Sequence, residues 1–397
     1  MKKILLNEIA QKNAQSFKIY GKDFINYLDT SSITENKILN IQKLYINHDI
    51  IPSRAKRAVK ENTIVYSSVR PNLKHFGIIE KPLENMVVST GFITLDIIDS
   101  TKYNPKYIYY NLSQQKNTDY LDTIARTNVS AYPGINDTDL LNLEILVFDN
   151  IEEQIRIANI LSSLDDKIEL NNRINKELEK LAKTLYDYWF VQFDFPDENK
   201  RPYKSSGGKM IYNEVLKREI PEGWTVSSLD DICIMYQPKT LGTDQLLPNG
   251  KYCVYGANGI IGKYDQYNHA ESEIAVACRG SSCGVVNRTL MKSWITGNAM
   301  VVQMKDKTIH NEYLYQMLKC INIKRIVTGS GQPQITRANL APIQILKPHQ
   351  GLLLKYSALV ASNVTERLRN ELENQKLAEL RDFLLPMLMN GQVSIKN

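Results

Sequence analysis

Two stretches about 200 residues apart carry the same pattern, and this repeat constrains the chain more than any other feature. Arg126–Val147 reads RTNVSAYPGINDTDLLNLEILV, and Ile326–Lys347 reads IVTGSGQPQITRANLAPIQILK. In register, Pro133 meets Pro333, Ile135 meets Ile335, Leu140 meets Leu340 and Ile145 meets Ile345. The match continues upstream, in order. Tyr107 and Tyr109 answer Tyr313 and Tyr315, Thr90-Gly91 answers Thr296-Gly297, and Leu6–Ile9 answers Leu229–Ile232. Each copy is followed by a long charged segment with helical apolar spacing. The chain is therefore built as module, helix, module, helix, and such a chain suits a target that is itself roughly two-fold. A duplex with two half-sites is the best candidate.

The 397 residues allow two to three domains, each able to bury its own core. No window approaches the roughly 18 uninterrupted apolar residues of a membrane span. The opening MKKILLNEIAQKN has an apolar run too short for a signal peptide, so a cytoplasmic location is expected. Cys233, Cys253, Cys278, Cys283 and Cys320 all fall in the second module. Their odd number and wide spacing argue against a disulfide framework. No second close pair completes a zinc ligand set, so reduced, partly buried thiols are expected. The net charge of +6 is mild, but it is unevenly placed. Residues 1–150 hold 18 basic against 16 acidic side chains and residues 221–348 hold 13 against 9, whereas residues 151–220 hold 12 against 13. The modules carry the positive charge, which suits nucleic-acid binding by modules joined through a protein-facing spacer.

Residues 1–150 read as a mixed α/β module. β-Branched runs at Thr63–Ser68, Met86–Val88 and Phe92–Ile98 lie between polar turns, Tyr107–Leu112 reads as a short helix, and Glu144–Phe148 as a closing strand. Residues 151–192 predict one long helix, because 151–190 lack Gly and Pro. Its apolar residues (Ile157, Ile160, Leu161, Leu164, Ile168, Ile174, Leu178, Leu181, Leu185) step by threes and fours. A helix this long and this charged off its stripe needs a partner helix. Residues 349–390 supply one, with Leu354, Leu359, Val364, Leu368, Leu372, Leu377 and Leu380 on its stripe, ended by Pro386 and Gly391. Residues 193–220, rich in Pro, Ser and Gly, read as a linker. Residues 221–348 form the second module, with strands expected at Cys253–Tyr255, Glu273–Cys278 and Met300–Met304, and 391–397 form a tail.

No Walker-type loop, no G-x-G-x-x-G opening a helix, no H-E-x-x-H and no G-x-S-x-G occurs. Asp165-Asp166-Lys167 reads as solvated charge on a helix face, and Asp230-Asp231 as helix capping. Binding residues are better represented. Ile51–Phe76 reads as a basic loop holding Arg54, Lys56, Arg57, Lys60, Arg70 and Lys74, interleaved with Tyr66, Ser67 and Ser68. Its cations suit phosphates, and an Arg can fork onto guanine O6 and N7. The corresponding ACRGSSCGVVN stretch places Arg279, Ser281 and Ser282 among small residues that allow close backbone approach. The repeated polar loops add Arg126, Asn128, Ser130 and Tyr132, and Thr328, Ser330, Gln332 and Gln334. Such side chains contact phosphates, and Asn or Gln can pair with adenine; turns satisfied by their own side chains are the competing account.

These residues, taken together, resemble the DNA-specificity (S) subunit of type I restriction-modification systems. The resemblance spans essentially the whole chain and is carried by LAKTLYDYWF (181–190), KSSGGKMIYN (204–213), IPEGW (220–224), GSGQPQIT (329–336) and LAELRDFLLPML (377–388). The loop from Pro52 to Phe76 also looks like one version of that family's first recognition domain. The resemblance implies an α+β chain with two target-recognition domains, each reading half of a bipartite DNA site in the major groove. Between them lie two long antiparallel helices, a coiled-coil spacer with pseudo-two-fold arrangement. These helices would set the gap between half-sites and dock two methyltransferase subunits, with restriction (motor-nuclease) subunits outside. S-adenosylmethionine, ATP and Mg are expected on those partners, with none in this chain and no metal site.

The expected DNA-binding set is Arg54, Lys56, Arg57, Tyr66, Ser67, Arg70, Lys74, Arg126, Asn128, Ser130 and Tyr132 for the first half-site. For the second it is Arg279, Ser281, Ser282, Thr328, Ser330, Gln332 and Gln334. The expected spacer and partner surface comprises Ile157, Leu161, Leu164, Ile168, Leu178, Leu181 and Leu185, with Leu354, Leu368, Leu372, Leu377 and Leu380. No catalytic residue is expected. The two basic regions differ in sequence, so the target should be asymmetric. A self-contained restriction-methylation enzyme would need a methyl-donor loop and an N-P-P-[FY]-type motif, neither of which occurs. A coiled-coil adaptor whose modules bind protein is the remaining rival, separable by the salt dependence of DNA binding.

Overall fold

The computed structural model describes residues 1–13, 15–127, 133–248, 250–329 and 331–393. The chain divides into two compact units, Met1–Ile168 with Gln375–Asn397, and Glu169–Asn374. Both long helices contribute to both units. The first runs Ile151–Tyr186, and the second runs Gln350–Met389.

In the first unit, Ala10–Lys12, Phe92–Ile97, Thr63–Ser67 and Phe76–Ile79 form an antiparallel sheet in that spatial order. A second, mixed sheet orders Gln42–Tyr45, Phe24–Leu28, Met86–Ser89 and Ala55–Ala58. The strand Thr63–Ser67 is buried along its whole length. Ile64 and Tyr66 enter the main core, whereas Val65 enters a second cluster with Leu28, Ile33 and Phe92. This alternation follows from the period of two in a strand covered on both faces. The main core is completed by helix residues Ile157, Ala158 and Leu161 of the first long helix and Leu388 and Met389 of the second.

The second unit repeats this build. Cys233–Tyr236, Ala299–Met304, Ile274–Ala277 and Val286–Arg288 form its main sheet. Gly259–Tyr264, Tyr252–Gly256 and Trp294–Ile295 form a smaller one. In each unit the segment after the repeated loop closes on the module's first strand: Ile4 faces Ile145, and Ser227 faces Ile345. The core is again completed by the long helices, through Tyr186 of the first, Trp189 and Phe190 of the π-helical turn Asp187–Val191 that continues it, and Leu353, Tyr356 and Val360 of the second. Phe190 lies edge-on to Tyr313 (5.0 Å) and to Tyr356 (5.2 Å).

Several expectations are corrected. The segment 193–220 is more than a linker. Met210–Asn213 pairs with Arg218–Pro221, Ile220 is buried, and Phe195 stacks between Tyr203 and Trp224. Pro and Gly there shape turns around an aromatic anchor, so composition alone misleads. The second long helix, expected over 349–390 with Pro386 and Gly391 as its end signals, runs through Pro386. It continues to Met389 because a proline removes only one backbone donor while Leu388 and Met389 gain a core. It ends at left-handed Gly391 (φ 68°), where Gln392 N donates to Met387 O (2.9 Å) and Gly391 N to Leu388 O (3.2 Å). The Ile51–Phe76 stretch is not one loop: besides the strand Thr63–Ser67, expected at Thr63–Ser68, it includes the strand Ala55–Ala58. The helix Gln115–Thr127 was not legible, because Asn117 and Thr118 share its buried face with Leu121 and Ala125.

Asp165 is also no solvated charge. It is partly buried, accepts from Tyr110 Oη (2.7 Å), and pairs with Arg381 (2.9 Å). In the second unit Glu179 plays the comparable part, accepting from Tyr315 Oη (3.1 Å) and Lys319 (3.4 Å). Burial pushes the Glu179 carboxyl up, but Arg288 and Lys319 outweigh it and hold it below the usual range. Each unit thus ties its tyrosine-bearing helix to the first long helix by a charge-assisted bond.

Among the described residues no helix is long and apolar enough to cross a membrane. The packing predicts that Phe190→Ala costs about 3–5 kcal/mol. Hydrogen exchange would show that loss as faster exchange in the second unit, with the core amides of the first unit unchanged.

Candidate nucleic-acid interface

The repeated loops sit at the same place in each unit, held by the same hydrogen bonds. In the first unit the strand Thr63–Ser67 ends opposite Phe92. Ser68 N then donates to Gly91 O (2.8 Å), and Ile135 N to Ser68 O (2.8 Å). Val69 bridges Gly134, and Arg70 N donates to Pro133 O (2.9 Å). In the second unit Ala277 lies opposite Ala299. Cys278 N donates to Asn298 O (3.0 Å), and Ile335 N to Cys278 O (2.9 Å). Arg279 bridges Gln334, and Gly280 N donates to Pro333 O (2.9 Å). The repeat Pro-x-Ile is therefore a backbone clamp. Its proline carbonyl and isoleucine N–H grip the chain leaving the central strand.

Other groups join each clamp. Thr90 N donates to Arg54 O (2.8 Å), and Arg57 Nη2 to Thr90 O (3.4 Å). This brings Arg54, Arg57, Thr90, Val69 and Arg70 together. In the second unit Gln237 Nε2 donates to Gly297 O (3.2 Å) and to Cys278 Sγ (3.0 Å). Thr328 and Gln334 pair through their backbones in both directions (2.9 and 2.8 Å). Arg279, Ser281, Thr328, Gln332 and Gln334 are exposed around this clamp, and Ser282 is half-buried.

Arg54, Lys56 and Arg70 are exposed, and Arg57 is half-buried. Lys74 forms an ion pair with Glu35 (2.7 Å), and Arg126 with Asp122 (2.6 Å). Exposed pairs of this kind are cheap to exchange for a phosphate. Tyr66 and Ser67 are corrections. Both are about 2 % exposed, in the central strand, so neither can reach a base. Tyr66 stacks on Phe76 at 5.1 Å, and burial pushes its hydroxyl up to about 12. Alternation along a strand buried on both faces is the reason, and a polar-looking SSV run concealed it. Asn128, Ser130, Tyr132 and Ser330 lie outside the described residues.

Val69, Thr90 and Gln237 were not among the expected site residues. Only Thr90-Gly91, through its repeat in Thr296-Gly297, offered a signal. Among the expected spacer residues, Ile157 and Leu161 are fully buried in the first unit's core and unavailable to a partner. Leu181 (55 % exposed), Leu354, Leu372 and Leu380 are open to solvent. Leu164, Ile168, Leu178, Leu185, Leu368 and Leu377 are half-buried. Among the described residues no group of three or more His, Cys, Asp or Glu side chains could hold a metal ion. Cys233, Cys278 and Cys283 are buried thiols, and Cys320 is exposed.

Arg70 takes a left-handed backbone conformation (φ 50°) at the position where the second copy has Gly280 (φ 78°). That conformation costs an L-residue about 1–2 kcal/mol, which glycine escapes. Arg70→Gly should therefore leave stability within about 1 kcal/mol of the wild type while weakening DNA binding. Thermal melting and binding by the assembled complex would check the two halves of that statement.

Residues 1–180 and 221–356 match the family model of the type I restriction modification DNA specificity domain. The chain is 25% identical to the type I restriction enzyme HindI specificity subunit of Haemophilus influenzae, over 99% of each chain. It is 26% identical to the MjaIX specificity subunit of Methanocaldococcus jannaschii, covering 93% of this chain and 88% of that one. The fold is similar to the crystal structure of an S subunit from M. genitalium, with a TM-score of 0.56, 18% identity, and 98% and 96% of the two chains covered.

Proposed function

The chain belongs to the family of type I restriction-modification DNA-specificity subunits, and from that premise we propose that its two clamps each read one half of an asymmetric bipartite DNA target in the major groove. One observation carries this reading. The same backbone clamp occurs in both units, while the side chains it presents differ: Val69-Arg70 in one and Arg279-Gly280 in the other. A shared frame with unlike readers suits two unlike half-sites. Arg54, Lys56, Arg57, Arg70, Lys74 and Arg126 would serve the first half-site. Arg279, Ser281, Ser282, Thr328, Gln332 and Gln334 would serve the second. Asn128, Ser130, Tyr132 and Ser330 remain assigned to these sets on sequence alone.

The helices act as the spacer that sets the gap, and their outward leucines (Leu181, Leu354, Leu372, Leu380) dock two methyltransferase subunits. Restriction subunits join that assembly. This chain is the recognition component and carries no catalytic residue. S-adenosylmethionine, ATP and Mg act on the partner subunits, in the cytoplasm. The outward apolar side chains support this division, since large exposed leucines on a charged helix are costly without a cover.

Single-molecule methylation mapping in cells that express this chain with its methyltransferase subunit tests the proposal. A split, asymmetric methylated motif that depends on this chain is expected, and a map identical with and without the chain would overturn it. The spacer role makes a separate prediction. Asn171 and Asn175 of the first helix bond to residues of the second, so an insertion has to be matched in both. Seven residues added to each lengthen the rod by about 10 Å. The gap between half-sites should grow by about 3 base pairs with neither half-site altered. A methylation map with the original gap would sink the spacer role.

A further inference from the structure

The residue at the centre of each clamp is fixed on both sides by the same bonds, yet its chemistry is opposite in the two units. Ser68-Val69-Arg70 and Cys278-Arg279-Gly280 are matched position by position. The first residue of each trio donates its N–H across the sheet and accepts from an isoleucine N–H. The middle residue bridges the repeated loop, and the third, left-handed in both, donates to a proline carbonyl. Val69 is further pinned by Ser67, whose Oγ accepts from Val69 N (3.2 Å) and donates to Val69 O (3.0 Å). Val69 is nonetheless 41 % exposed. Arg279 is exposed as well. Among the described residues its side chain has no ion pair and no side-chain hydrogen bond, although 9 of the second module's side chains are acidic.

A position that holds valine in one copy and arginine in the other cannot share a phosphate-contact role, since valine neither neutralises nor donates. It can share a base-reading role in which the two domains read different bases. Base reading also explains the clamp. A phosphate contact tolerates a flexible side chain, whereas an edge-on fork needs its Cα held in place. The available partners then follow from the chemistry of the major groove. A guanidinium forks onto guanine O6 and N7, and a small apolar side chain meets the C5-methyl of thymine.

Resting on the two-half-site reading above, we propose that Val69 and Arg279 are the matched specificity-determining residues of the two domains. Arg279 reads a guanine in the second half-site, and Val69 contacts a thymine methyl in the first.

The test uses the complex assembled with its methyltransferase subunits, on duplexes bearing the target found by methylation mapping. Each guanine of the second half-site is replaced in turn by 7-deazaguanine, which lacks the N7 acceptor. Each thymine of the first is replaced by uracil, which lacks the methyl. For the wild type, one deaza substitution should weaken binding by roughly tenfold or more. One uracil substitution should weaken it by a smaller factor, a few-fold. Arg279→Gln should lose sensitivity to that one deaza position and relax the motif there, toward adenine, with the first half-site unchanged. Val69→Ala should lose sensitivity to the one uracil position alone. Because the base analogues act on the wild-type protein, a poorly folded variant does not blunt the result. The proposal is overturned if no single analogue position matters. It also fails if Arg279→Gln weakens all sequences equally and lowers the salt slope by about one, which is the signature of a phosphate contact. A wild-type complex with no split motif at all would instead remove the reading on which this inference rests.

Discussion

Each unit's core contains an opening that only the long helices fill. In the second unit Tyr186 and Phe190 of the first helix meet Tyr313 and Tyr356 across ring distances of 5.0 to 6.3 Å. Four aromatic rings, edge to face in three of these pairs and tilted between Tyr186 and Tyr313, fix the helix against the domain in both position and rotation, because such pairs depend on angle as well as area. In the first unit aliphatic side chains do the same through Ile157, Leu161, Leu388 and Met389. Hydrogen-bonded carboxylates then lock each joint, Asp165 with Tyr110 and Arg381 in one, and Glu179 with Tyr315 in the other. The helices are thus structural parts of the recognition domains rather than cords between them.

Between those anchored ends the helix pair reverses the usual polarity. Asn171 is fully buried and donates to Glu373 (2.8 Å) and Asn374 (2.9 Å), and Asn370 donates to Asn175 (3.0 Å). Meanwhile Leu170, Ile174 and Leu372 lie outward. An all-leucine interior would tolerate a slip along the pair, since one apolar layer substitutes for another. Buried amides do not, because a displaced Asn leaves a donor without a partner at a cost of about 1–3 kcal/mol. Register and antiparallel sense in this stretch are therefore set by asparagines, and Leu170 and Leu372 are left on the surface.

This reversal marks the boundary of what was legible. Helix length and its apolar steps were readable from the absence of Gly and Pro and from the spacing. Which side of the stripe faces the partner helix was not, because asparagine at a buried position looks like surface in a hydropathy pattern. The recognition modules show the same split. The repeated Pro-x-Ile and Thr-Gly pairs correctly marked two equivalent loops, since backbone clamps need particular residues. Tyr66 and Ser67 were placed at the surface because they neighbour arginines in sequence, yet a strand covered on both faces buried them. Val69 went unnoticed because an exposed valine has no signature of its own. Only comparison with Arg279, at the same place in the second clamp, makes it informative.

That comparison also bears on Arg70. The chain leaves the central strand by a left-handed residue in both units, so the backbone path itself asks for glycine, and the second unit has it at Gly280. The first unit holds an arginine there at a conformational cost of about 1–2 kcal/mol. The clamp does not require this, because the second unit forms it without an arginine. The arginine is therefore not there to form the clamp. Val69 beside it supplies no charge, and Arg54 and Arg57, joined to the clamp through Thr90, are the other guanidinium groups nearby. The second clamp carries its arginine one position earlier, at Arg279 opposite Val69, so the same frame presents unlike side chains at matched positions.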